Sequence, residues 1–151
     1  MGWRAITTDD VYAGLTKPEV TALSSGHLVT GQADPVPTVI DQVTLECREA
    51  IRSCGENRLH PTSTHLPEST IRHACAIIIY RLCSRFSTVL KVSDDRRDQK
   101  NDAMKYFDKV ASCARAVERY GEDESNTPSA EIEVSENVPD RQWSREKQSG
   151  L

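Results

Sequence analysis

The stretch LPESTIRHACAIIIYRLCSRF, residues 66–86, decides the fold of this chain. Its apolar side chains recur at the spacing of a helix, and those expected on one helical face are Ile71, Ala74, Cys75, Ile78, Leu82, Cys83 and Phe86. The run from Ile77 to Ile79 is β-branched and favours a strand locally, but the flanking period and the length of about 20 residues favour a helix. We therefore predict a helix that is buried on more than one side and lies at the centre of the protein.

A second long helix is predicted before this stretch, over residues 38–56. Its apolar positions follow the i, i+3, i+4, i+7 template and are Val39, Ile40, Val43, Cys47, Ala50, Ile51 and Cys54. Gly55 marks its end, and a connector with two prolines at 57–67 leads into the central helix. The segment 24–37 clusters prolines and glycines, which indicates a loop.

A third long helix is predicted after Ser93, which is a good N-cap because Asp94 and Asp95 follow it in the first turn. Apolar residues continue the helical period as far as Tyr120. Gly121 is then expected to stop the helix, as glycine commonly does at a helix C-terminus.

Two short helices are predicted near the N-terminus. Thr8 precedes two acidic residues and is the expected N-cap of the first helix, which reaches Leu15. Thr16 and Glu19 have the spacing of a capping box, which opens the second helix and carries it to Leu23.

Together these elements predict an all-α fold. The expected architecture is a small antiparallel helical bundle of three longer helices plus a short N-terminal helical pair, followed by an extended C-terminal tail. A chain of 151 residues suits one domain with an appendage. The predicted boundaries are a helical domain at 1–121 and an acidic tail at 122–151.

The tail carries large apolar residues, which are unusual in a segment that is otherwise acidic and polar. They occur in the stretch SAEIEVSENVPDRQW, residues 129–143, and are Ile132, Val134, Val138 and Trp143. Within it, EIEV alternates charged and apolar residues, as a strand with one buried face does. We predict that these four side chains bind a partner, by strand addition or as a strap. A tail that binds nothing is the alternative.

Charge is unevenly distributed along the chain. The tail holds eight acids and three bases, so its net charge is −5, and the overall charge of −4 leaves +1 for residues 1–121. A nearly neutral body argues against general nucleic-acid binding, although a local basic stripe can still line a DNA passage. No apolar run approaches the roughly 18 residues of a spanning helix, and the N-terminus has no signal-peptide pattern, so we expect a soluble protein.

The five cysteines are an odd number, and none has the CxxC spacing of metal or redox sites. Cys47 and Cys54, seven apart, and Cys75 and Cys83, eight apart, place each pair on one helical face. With Cys113, we interpret them as buried thiols that pack in the core. A disulfide formed in assembly or in an oxidising compartment, and a metal site, are the alternatives.

The chain shows no motif for catalysis. It lacks GxxxxGK[ST], GxGxxG, GxSxG, HExxH and the EF-hand calcium loop. His60, His65 and His73 can be imagined with Cys75 as a metal cluster, but no paired ligand motif is present, so we interpret them as loop or surface histidines. We predict no catalytic residue, no cofactor and no metal, and therefore no enzyme.

Four stretches of the chain together resemble a known family. They are TTDDVYAGLTKPEVTAL (7–23), VIDQVTLECREAIRS (39–53), the central stretch, and RRDQKNDAMKYFDKVASCA (96–114). Their order and spacing over residues 5–118 are similar to those of the small helical head-tail connector proteins of tailed bacteriophages. In that family the third element is a proline followed by a helix rich in small residues with an aromatic and an arginine or leucine, matched here by Pro67, Ala74, Ala76, Tyr80, Arg81 and Leu82.

The resemblance implies a structural protein of the virion neck, at the head-tail interface, made in the host cytoplasm. It implies a homo-oligomeric ring, expected to be a dodecamer, between the portal protein and a tail-side neck or stopper protein. Genomic DNA would pass through the lumen non-specifically, and the candidate lumen or intersubunit charges are Arg96, Arg97 and Lys100. The alternative is a small helical adaptor or regulator that binds a protein partner as a monomer or dimer.

Overall fold

The structure is a computed structural model that describes residues 2–25 and 33–121. These residues are mostly helical and include one small two-stranded sheet. In chain order the elements are β1 Trp3–Ala5, α1 Thr8–Tyr12, α2 Lys17–Ser25, α3 Pro35–Ser53, β2 His65–Pro67, α4 Glu68–Arg85 and α5 Asp94–Ala111. The predicted three longer helices and short N-terminal pair are therefore present, and the tail at 122–151 lies outside the described residues.

Helix α4 occupies the central position that was predicted for the stretch 66–86. It packs against both α3 and α5, which also pack against each other. The consecutive residues Ile77, Ile78 and Ile79 are all buried. Because successive residues of a helix point about 100° apart, α4 is buried on more than one side, as predicted. Burial of each of these side chains stabilises the fold by about 1.5–3 kcal/mol.

The two-stranded sheet is the element that the all-α prediction missed. The strands are antiparallel, and the opposed pairs are Trp3 with Pro67, Arg4 with Leu66, and Ala5 with His65. Strands of three residues are too short to produce the alternating pattern by which a strand is recognised. The sheet ties the N-terminus to the start of α4, where Leu66 is fully buried.

The first helix is capped one residue earlier than predicted. Thr7, and not Thr8, is the N-cap of α1: its hydroxyl accepts a hydrogen bond from the N–H of Asp10 at 3.3 Å, and the Asp10 carboxylate accepts one from the Thr7 N–H at 2.8 Å. These reciprocal bonds form a capping box. At α2, Glu19 accepts a hydrogen bond from the Thr16 N–H at 2.9 Å, which is half of the predicted box.

The longer helices differ from prediction mainly at their ends. Helix α3 begins at Pro35 instead of residue 38, because proline fits the first turn of a helix and the Asp34 side chain caps it. Helix α5 begins as predicted, with the Ser93 hydroxyl accepting a hydrogen bond from the N–H of Arg96 at 3.3 Å.

The end of α5 is the largest correction. The helix stops at Ala111, whereas the apolar period predicted a helix as far as Tyr120. Cys113 has a φ of 62°, which is the left-handed conformation and is incompatible with continuing the helix. A disulfide to Cys54 holds Cys113 in place. The chain beyond it is not helical, and Val117 is buried.

The cysteines are of two kinds. Cys47, Cys75 and Cys83 are free and buried, as predicted. Burial raises the pKa of Cys47 to about 12 and that of Cys75 to about 11, so these thiols stay protonated near neutral pH. The interpretation as buried thiols is wrong for Cys54 and Cys113, which form the disulfide, and Cys113 is exposed.

Candidate functional site

An ion pair joins α2 to the first turn of α5. The Arg96 guanidinium donates to both carboxylate oxygens of Glu19, at 2.8 Å each, and the two side chains are 16% and 14% exposed. Arg96 also donates to the carbonyl of Lys91 at 2.8 Å and lies 3.2 Å from the sulfur of Cys83. Hydrogen bonding to Arg96 lowers the pKa of Glu19 to about 2, because it stabilises the ionised carboxylate.

Glu19→Gln is expected to lower the free energy of unfolding by about 2 kcal/mol at neutral pH, because a charge-assisted pair with little solvent exposure is lost. Glu19 has a depressed pKa, so its stabilising contribution is complete above the ordinary value of 4.5 and is lost as the pH falls towards about 2. Urea unfolding of both proteins across this range should show a steeper acid loss in the wild type.

The matched control is Glu46→Gln, which removes a more exposed pair with Arg81. Exposed pairs contribute roughly 0–1 kcal/mol, so this variant should stay close to the wild type. Equal losses in the two variants would contradict a special role for the Glu19 pair.

The other two candidate lumen charges lie near the same end of α5. Arg97 is exposed and pairs with Asp94 at 3.3 Å within the first turn. Lys100 is half-buried, and its Nζ lies 5.1 Å from the ring centroid of Tyr80 on α4. The three predicted charges therefore differ in exposure and in partner: Arg96 is largely buried and pairs with Glu19 of another helix, whereas Arg97 pairs with an exposed residue of its own helix. Their role in a lumen or between subunits stays a prediction.

Two long helices carry a large apolar side chain in solvent. Leu45 on α3 is 57% exposed, and Met104 on α5 is 44% exposed. Burying such a side chain against a partner is favourable because it removes apolar surface from water. The helical period places Leu45 off the buried face that Val43 and Cys47 define, which is the signal by which it can be recognised from sequence.

A groove of about 740 Å³ opens along α1, α4 and α5. On one side, the Arg4 guanidinium donates to both carboxylate oxygens of Asp10, at 2.8 and 3.0 Å. Arg4 thereby holds the pKa of Asp10 well below its usual range. Gly14 and Ile79 both line the groove and pack closely, so a Cβ at position 14 would collide with the end of the Ile79 side chain unless that side chain moved. Asp10 stays ionised and paired near neutral pH, so it is unsuited to proton transfer there.

Aromatic and imidazole rings gather beside the sheet. The His60 ring stacks on His65 with centroids 4.6 Å apart, and its centroid lies 6.3 Å from Trp3 and 4.5 Å from Tyr120. Among residues 2–25 and 33–121, the indole N–H of Trp3 is the one buried side-chain polar group with no hydrogen-bond partner. Tyr120 is near the end of the described residues and Trp3 is near their start, so this cluster brings the two ends of the described chain close together.

Arg48 hydrogen-bonds to the backbone of two residues of this cluster, His60 and His65. It lies on the buried face of α3, is 7% exposed, and donates to the carbonyl of His65 at 2.6 Å and to that of His60 at 2.8 Å. It therefore ties the connector before β2 to the helix. The signal in the sequence is a charged residue at a position that the apolar period reserves for the core, between Cys47 and Ile51.

Among the described residues, no three His, Cys, Asp or Glu side chains lie close enough together to hold a metal ion. His73, one of the three histidines considered above, instead stacks on Tyr106 of α5 with centroids 3.9 Å apart. In the same part of the chain, no helix has the length and apolar character needed to cross a membrane.

The predicted partner-binding residues of the tail lie outside the described residues. This applies to Ile132, Val134, Val138 and Trp143. The prediction that they bind a partner is therefore carried by the sequence pattern alone.

Comparison with known proteins identifies one family. The model of the family described as bacteriophage Mu, Gp36, matches residues 6–136. The match contains the five helices of the described residues and continues along the sequence into the tail, through Ile132 and Val134. No curated protein and no solved structure matches the chain significantly.

Proposed function

This chain belongs to the bacteriophage Mu Gp36 family, and from that membership we propose that it is a structural protein of the phage virion. Its specific role would be that of a head-tail connector, a ring in the neck between the portal protein and a tail-side component. Genomic DNA would pass through the lumen, and the protein would act without a cofactor or a reaction of its own. The family match is the observation that carries the proposal.

The helical body provides surfaces that suit a repeated contact between subunits. A ring is closed by one heterologous interface, in which two different patches of each subunit meet. Leu45 and Met104 lie on different helices and expose apolar side chains, so they can serve such patches. The near-neutral charge of residues 1–121 also suits a channel, because strong phosphate contacts would hold the DNA in place.

The test is the assembly state of the purified full-length chain, alone and mixed with the portal protein of the same phage. Native mass spectrometry and negative-stain imaging should show a closed ring, expected to be a dodecamer, that joins the portal. A chain that stays monomeric or dimeric and never joins a portal ring would overturn the connector proposal and favour a small adaptor or regulator.

Leu45→Asp is expected to weaken ring formation by at least about tenfold, because it replaces an apolar contact with a charge that must be desolvated. Folding should be unaffected to within roughly 0.5 kcal/mol, since Leu45 is exposed in the monomer. Sedimentation over a concentration series measures the first effect, and thermal unfolding the second.

Gln42→Asp is the matched control for Leu45→Asp. It adds the same charge to an exposed position on α3 without removing an apolar side chain. If Leu45→Asp and Gln42→Asp both assemble as well as the wild type, the exposed face of α3 is not a subunit contact.

A further inference from the structure

The outer edge of β1 is open. The Glu68 N–H donates to the Gly2 carbonyl at 3.0 Å, and the register places Trp3 opposite Pro67. Trp3 and Pro67 are therefore a non-hydrogen-bonded pair, which suits Pro67 because proline has no N–H to donate. It follows that the backbone N–H and C=O groups of Trp3 and Ala5 point away from β2. Of these groups, the Ala5 carbonyl accepts a hydrogen bond from the Arg4 guanidinium at 3.3 Å. Within the described part of the chain, both N–H groups lack an acceptor.

The outer edge of β2, by contrast, is closed. The His65 N–H donates to the carbonyl of Thr62 at 3.2 Å, and its carbonyl accepts from Arg48. The carbonyl of Pro67 accepts from the hydroxyl of Thr70 at 2.7 Å. Among the described residues, the sheet can therefore accept another strand at β1, where the outward N–H groups of Trp3 and Ala5 have no acceptor, and not at β2. A two-stranded sheet is marginally stable, and a third strand would add hydrogen bonds and cover apolar surface.

The described chain ends close to this open edge. Tyr120 contacts His60, which lies next to Trp3, and Gly121 is the last described residue. Nine residues, 122–130, separate Gly121 from the tetrapeptide EIEV. Fully extended, nine residues span about 30 Å, which exceeds the radius of a domain of this size. The tetrapeptide can therefore reach a neighbouring molecule.

We propose that the open edge of β1 accepts residues 131–134 of a neighbouring copy as a third strand. The inference rests on the ring proposed above and specifies one of its subunit contacts. On an added strand Ile132 and Val134 share one face, which can cover the side of Trp3 and Ala5. Backbone hydrogen bonds to the open edge supply affinity, and the two apolar side chains select the register.

The tail of a second copy is a better candidate for the third strand than the tail of the same chain. The spacer 122–130 begins with Glu122, Asp123 and Glu124 and contains Pro128, and both like charge and proline extend a linker. A tail that binds the edge of the next subunit is a heterologous contact between two different surfaces. Repetition of that contact closes a ring.

The test compares full-length variants of the edge and of the tail. Ala5→Pro removes the outward N–H, and Ile132→Asp with Val134→Asp places charges on the predicted buried face. Each should weaken self-association at least about tenfold, and their combination should cost little more because both remove one contact. The controls are Ala5→Ser, which keeps the N–H, and Ser129→Asp with Ser135→Asp, which adds two charges to the other face.

Hydrogen exchange provides a readout that does not depend on Ala5→Pro folding. In assembled wild type, the amides of Trp3 and Ala5 should exchange at least about tenfold more slowly than in the Ile132→Asp, Val134→Asp variant. The amide of Arg4, which the register pairs with Leu66, should be protected in both.

Three outcomes would overturn the inference. Rings that form with unprotected Trp3 and Ala5 amides would leave the connector proposal standing and remove this contact. Protection that is independent of concentration in a monomer would assign the edge to the same chain's own tail. A wild-type chain that forms no ring at all, alone or with the portal, would instead remove the proposed function on which the inference rests.

Discussion

Reduction of the Cys54–Cys113 disulfide is expected to lower the free energy of unfolding by about 4 kcal/mol. The bond joins residues 59 apart in sequence, and a loop of that length restricts the unfolded chain by this amount in the chain-entropy treatment. Cys54 follows α3 and Cys113 follows α5, so the bond ties the ends of two long helices together. Urea unfolding with and without a thiol reductant measures the difference.

The control for the reductant is the Cys54→Ala, Cys113→Ala variant. It should match the reduced wild type and show no response to reductant. Thiol titration of the denatured wild type should find three reactive thiols before reduction and five after it, because Cys47, Cys75 and Cys83 are free. Five thiols without reduction, or equal stabilities with and without reductant, would contradict a stabilising disulfide.

The disulfide also constrains the described segment that leads to the tail. The segment after Cys113 buries Val117 and places Tyr120 against His60, next to the sheet. With the bond reduced, this segment is held by fewer constraints. If the tail acts from this position, as proposed for residues 131–134, reduction should weaken assembly as well as stability.

The long helices could be predicted from sequence because their signal is local. The apolar period of α3 and α4 reflects which face of each helix is buried, and Ser93 with its following acids marks the start of α5. The end of α5 could not be predicted in the same way. The apolar period continues through Val117, but Cys113 is constrained by a partner far away in the chain.

The Arg96–Glu19 ion pair and the two-stranded sheet were less predictable, because their contacts join residues that are distant in the sequence. Arg96 was recognised as a charge at a helix start, but its pairing with Glu19 spans 77 residues. The two strands are each three residues long and come from opposite ends of a long segment, so neither carries a pattern. The open edge of β1 depends on the register between Trp3 and Pro67, which only the folded chain defines.

Arg48→Met is expected to lower the free energy of unfolding by about 3–5 kcal/mol. Methionine can fill much of the same volume, but it leaves the carbonyls of His60 and His65 without the charged donor that each has in the fold. A hydrogen bond to a charged group contributes about 1.5–3 kcal/mol, and two are lost. Chemical denaturation at neutral pH measures the change.

Arg52→Met is the matched control, because Arg52 lies one turn further along α3, is exposed, and pairs with Glu49 at 3.0 Å. This variant should lose roughly 0.5 kcal/mol or less. Equal stability of the two variants would show that Arg48 does not hold the connector. The Arg48 variant should also expose the His65 carbonyl at the outer edge of β2, so a sheet with one open edge would gain a second. We therefore expect Arg48→Met to aggregate on concentration while Arg52→Met does not, and light scattering of the two folded variants distinguishes loss of this edge protection from a general loss of stability.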